Sequence, residues 1–147
     1  MPSDKIISSL NHLVAIANDG KYGFENAAKD VEDVTLKQLF LQYSAERNTY
    51  VTDLKNLIEQ LGGKPDDGGG PLGALHRTWM DIKSTFTAAD REAILNACIT
   101  GEQAAEKAYT ETLKEEIPQE AKSLLVQQLS GIEASLNSLR SLVATVA

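Results

Sequence analysis

The sequence holds a single cysteine, Cys98, so no disulfide can form within the chain, and a reducing compartment is the simpler expectation. Positive charge is in short supply: 14 Lys and Arg stand against 21 Asp and Glu, a net charge of −7. The acidic residues are spread along the chain, which argues against a nucleic-acid footprint and against adhesion to anionic membranes. No apolar run approaches the ~20 residues of a membrane span. MPSDK leads straight into an amphipathic pattern rather than into a signal peptide, so a cytoplasmic protein is expected. Aromatics make up only 5% of the 147 residues, β-branched runs are few and sustained alternation is missing, which leaves no strand signal.

Helical periodicity is what the chain does have. Over residues 4–32, Leu10, Leu13, Val14, Ala17, Phe24, Ala27, Ala28 and Val31 keep an i, i+3, i+4, i+7 rhythm, with Ser3 or Asp4 as cap. A turn at Asp33–Val34 precedes Thr35–Gln38, which has the form of a capping box. A second helix then runs to Leu61 and stops at Gly62-Gly63 and Pro65. Residues 62–88 make a long connection whose stretch PLGALHRTWMDIKSTF reads as a short amphipathic helix. Thr87–Asp90 caps a third long helix reaching about Glu116, and Pro118 suits the first turn of a fourth.

Each long helix spans roughly 26 to 29 residues, about 40 Å. Short turns after the first and third make each flanking pair antiparallel. The expected fold is therefore all-α: one domain over 1–147, two antiparallel helical hairpins joined by a crossover (62–88) containing a short helix. That is the connectivity of a ferritin-like four-helix bundle, although an up-down-up-down bundle stays open.

Every long helix has a polar break in its apolar stripe near mid-length. The breaks fall at Gly20 and Lys21, at Glu46-Arg47, at Glu102 between Cys98 and Ala105, and at Gln128, Gly131 and Glu133. Within each hairpin they sit at matching height, so aligned hairpins would carry a polar layer through the core. One interpretation is a carboxylate site for iron or manganese, with Glu46, Glu102 and Glu133 as candidate ligands and Glu25 or Asp19 slightly out of phase. Dinuclear bundles of this class use two Glu-x-x-His pairs on one helical face each. Here Thr49 and Leu136 stand three residues after Glu46 and Glu133, and His12 and His76 lie elsewhere. The other interpretation is structural: Glu46 or Glu102 pairs with Arg47 or Lys21, and Tyr22, Tyr43, Tyr50 and Tyr109 supply hydroxyl donors. Cys98 lies on an apolar face and reads as core. His76, Arg77 and Trp79 form a further cluster on the crossover, either a ligand or partner site or a helix anchored by Trp79. No Gly-rich phosphate loop follows a strand, and no Ser-His-Asp arrangement can be assigned.

The segments DGKYGFENAA (19–28), SAERNTYVTDL (44–54), LGGKP (61–65), ALHRTW (74–79) and GEQAAEKAY (101–109) together resemble a bacterial family of ferritin-like four-helix bundles whose function is undefined. The resemblance covers nearly the whole chain. It implies a ferritin-like bundle in a bacterial cytoplasm, and on matching positions it singles out Glu46, Arg47, His76, Arg77, Trp79, Glu102 and Tyr109.

The expectation is a homodimeric, non-enzymatic structural or stress-associated interaction protein that needs no cofactor. A carboxylate-type di-metal protein or oxidase is the alternative. A third is a module that presents the crossover helix to a protein partner. Neither nucleic acid nor membrane is expected as a partner.

Overall fold

The computed structural model describes residues 4–66 and 91–144, which form four helices: α1 (Asp4–Asp30), α2 (Val34–Gln60), α3 (Arg91–Leu113) and α4 (Gln119–Ala144). The expected crossover helix and the expected cap at Thr87–Asp90 lie outside the described residues. No helix among the described residues is long and apolar enough to cross a membrane.

The helix boundaries follow from local chemistry. Asp33, not Thr35, caps α2: its carboxylate Oδ1 accepts from the backbone N–H of Thr35 at 2.8 Å and of Leu36 at 3.2 Å. A full negative charge at the positive end of the helix dipole outcompetes a threonine hydroxyl two residues further in. At the other end, Gly62 takes a φ of +85°, with its N–H on the Glu59 carbonyl and that of Gly63 on Ile58. This is the Schellman closure, and the left-handed residue in it is where glycine is needed. The chain then turns onto α1, where Asn11 donates to the Lys64 carbonyl and accepts from the Asp66 N–H.

Helix directions define the topology. Ser9, near the start of α1, donates to the Glu115 carboxylate just beyond α3, so α1 and α3 are antiparallel. Arg47 meets Ser135 while the later Tyr50 meets the earlier Gln128, so α2 and α4 are antiparallel too. Accordingly α2 and α3 run parallel, and the chain between Leu61 and Arg91 joins opposite ends of the bundle. Arg91 confirms the far end by pairing with Asp33 at the α1–α2 turn, 3.7 Å away. These are two antiparallel hairpins joined by one full-length crossover, a ferritin-like four-helix bundle.

The core falls into two apolar clusters. One gathers Leu10, Leu13, Val14, Val51, Leu54, Ile58, Tyr109, Leu125, Ile132 and Leu136. The other, toward the α1–α2 turn, gathers Phe24, Leu36, Phe40, Tyr43, Ile94, Leu95, Cys98 and Leu139. On α1, α2 and α3 the boundary between them is a small or polar residue, Gly20, Arg47 and Glu102, while on α4 Ser135 sits next to Leu136, the last first-cluster residue before Leu139 of the second.

Candidate functional site

The boundary is a network centred on one guanidinium. Arg47 projects from α2 into the bundle and is only 1% exposed, as are Glu102 on α3 and Gln128 on α4. Its Nε donates to Glu102 Oε1 at 3.3 Å, and its Nη2 donates to Glu102 Oε2. The same Nη2 reaches Ser135 Oγ at 3.1 Å, and Nη1 reaches Glu46 Oε1 at 2.6 Å. Tyr50, one turn beyond Glu46, donates its hydroxyl to that same Oε1 at 3.0 Å. The planar fork suits the two-point grip on Glu102, which a lysine would not reproduce.

The surroundings explain how the charge is tolerated. The rings of Tyr50 and Phe24 lie 4.9 Å and 5.7 Å from the guanidinium carbon, and their π faces favour a cation. Burial opposes the charge on Arg47, but the Glu102 carboxylate and the hydrogen bonds to Glu102 and Glu46 outweigh it and raise its pKa, so Arg47 stays protonated. Burial pushes the Glu102 carboxyl above its ordinary value, against the pull of Arg47. A buried pair with that balance contributes little net stability, yet removing either partner strands the other charge in the core.

Tyr109 completes the layer. Fully buried, it donates to Gln128 Oε1 at 2.6 Å, and Gln128 passes its amide to the Tyr50 carbonyl at 3.4 Å. Burial drives the Tyr109 and Tyr50 hydroxyls well above their ordinary pKa, so both are neutral donors. A cavity of about 10 Å³, the size of one water, is lined by Arg47, Glu102, Tyr50, Tyr109 and Gly20. Cys98 is buried beside the layer, and desolvation lifts its thiol well above the ordinary value, so it is unreactive core.

Of the residues singled out from sequence, Glu46, Arg47, Glu102 and Tyr109 converge here. Glu133 does not: it is exposed on the outer side of α4, and Ser135 occupies the inward position two residues on. Glu25 faces outward and pairs with Lys29 at 3.8 Å. Lys21 lies 5.0 Å over the Tyr22 ring instead of joining the layer. His76, Arg77 and Trp79 lie outside the described residues. Ser135 does not stand out as a polar break in the sequence, although Gln128, Gly131 and Ser135 follow the i, i+3, i+7 spacing of one helical face.

Iron or manganese is the group a bundle of this connectivity implies, and the donors present do not fit it. Among the described residues the layer brings together two carboxylates and no histidine, and the Arg47 guanidinium lies between them, bonded to both. Among the described residues no group of three or more His, Cys, Asp or Glu side chains is placed to hold a metal ion.

The structure is similar to that of a Dps1 mutant from Mycobacterium smegmatis, with a TM-score of 0.82 over 97% of this chain and 99% of that one. At 16% identity the likeness is one of fold. No curated protein matches the sequence. Residues 5–115 match a family described as a domain of unknown function, DUF2383, and the chain belongs to that family.

Proposed function

We propose that this protein is a non-enzymatic bundle whose mid-core ion-pair layer sets helix register, and that it works by association, as a homodimer and with a protein partner. One observation carries the reading: among the described residues, the cation bonded to Glu102 is the protein's own Arg47, whose guanidinium is held by acceptors from α2, α3 and α4. Reactive carboxylate centres need open coordination positions, and here both Glu102 oxygens and Glu46 Oε1 are engaged by a guanidinium that keeps its charge. Tyr22, Leu41 and Val126 are each about half exposed on the outside of the described helices, apolar area that association would cover. The bacterial, cytoplasmic setting rests on the sequence resemblance.

Anaerobic loading with ferrous iron or manganese, followed by oxygen, tests the first part. No bound ion above background and no oxo-bridged absorption are expected. About two ions per chain with that absorption would replace this reading by a dinuclear oxidase. Sedimentation at micromolar concentration tests the second part, and a monomer alone would reject the homodimer.

A further inference from the structure

We propose that the groove between α1 and α3 binds a single-chain anionic amphiphile, a carboxylate carrying an alkyl tail. The groove encloses about 580 Å³ on the outside of the bundle, within the ordinary range of small-molecule sites. On α1 its lining runs from Lys5 to Ile16, a rise of about 16 Å, which matches an extended tail of roughly twelve carbons. No residue of the Arg47 network lines it, so binding here is independent of the function proposed above.

The walls select the head group. Ile16, Ala104 and Ala108 give the groove an apolar floor, and the methylene stems of Lys5 and Lys107 extend it. Two carboxylates on the walls are already engaged: Glu115 accepts from Ser9 at 2.9 Å, and Glu111 pairs with Lys114 at 3.6 Å. Lys5, His12 and Lys107, by contrast, make no hydrogen bond or ion pair with other described residues. On a chain whose net charge is −7, this groove therefore sets unpartnered cationic side chains beside an apolar channel. An anionic head meets those side chains while its tail covers the floor. A cationic head would face Lys5 and Lys107 with the nearby acids already engaged, and a neutral head would gain nothing from them.

Isothermal titration calorimetry with sodium dodecanoate, kept below its micelle concentration, tests the site, with helical circular dichroism followed in parallel. One dodecanoate should bind per chain with the helices intact. Decanoate and octanoate should bind more weakly, by roughly fourfold for each methylene removed. Dodecyltrimethylammonium and dodecyl maltoside, which keep the tail and change the head, should bind about tenfold more weakly than dodecanoate. The double variant Lys5→Gln/Lys107→Gln should lose about fivefold in affinity. Ala104→Leu, at an exposed position on the groove floor, should abolish uptake by filling the channel. No uptake of dodecanoate, uptake only with loss of helical signal, equal binding of the three head groups, or unchanged affinity in either variant would each overturn the inference.

Discussion

Two glycines in the layer have opposite roles, which the structure separates. Gly131 admits the Tyr50 hydroxyl, and no Cβ fits beside it. Gly131→Ala should therefore cost about 1 to 3 kcal/mol by forcing Tyr50 aside. In a Tyr50→Phe background the same change should cost measurably less, and equal costs in the two backgrounds would refute the contact. Gly20 faces the stem of the same arginine, but a Cβ there would meet Arg47 Cγ at 3.6 Å, ordinary contact. Gly20→Ala should thus be neutral or stabilising by up to about 1 kcal/mol, read from urea midpoints. The sequence marked both glycines as breaks in the apolar stripe, and a break alone does not tell a required notch from a tolerated gap. The same limit applied to Glu133. Periodicity places a residue within about a third of a turn, and that error suffices to move a carboxylate from core to solvent. Glu102 was legible because apolar residues flank it at Cys98 and Ala105; its partner stayed open between Arg47 and Lys21, which only side-chain reach decides.

Among the helices, α2 is the one most strongly defined at both ends, by Asp33 and by the Gly62–Gly63 closure. Asp33→Ala removes acceptors for two N–H groups and should lower the unfolding free energy by about 1 kcal/mol. Asp33→Asn should retain most of it, and equal losses from the two variants would show that the Arg91 pairing, not capping, is what counts. Helix lengths and the hairpin pairing were readable because stop signals such as Gly62-Gly63-Lys64-Pro65 are local. The choice between a ferritin-like and an up-down-up-down path was not local; it is decided by long-range contacts such as Ser9 with Glu115.

For the whole bundle, alkaline pH is the most direct probe of the buried layer. Tyr43, Tyr50 and Tyr109 all have folded pKa values raised by burial, while unfolded tyrosine ionises near 10. Above that pH the unfolded chain releases protons that the folded one retains, so stability is complete below about 10 and falls as pH rises further. Tyr109 alone should take away about 1.4 kcal/mol per pH unit between its unfolded and folded values. Tyrosinate absorbance from these three rings should appear together with loss of helical signal. Ionisation of all three with the helices intact would contradict their burial. The division of the core has a different consequence, for how the molecule accumulates change. Leu95 and Leu125 belong to separate clusters with paired charge between them, so Leu95→Ala and Leu125→Ala should add to within ~0.5 kcal/mol. Each half can then drift in sequence without compensation from the other, while Arg47 and Glu102, which both halves touch, hold the two lineages of substitution in one reading frame.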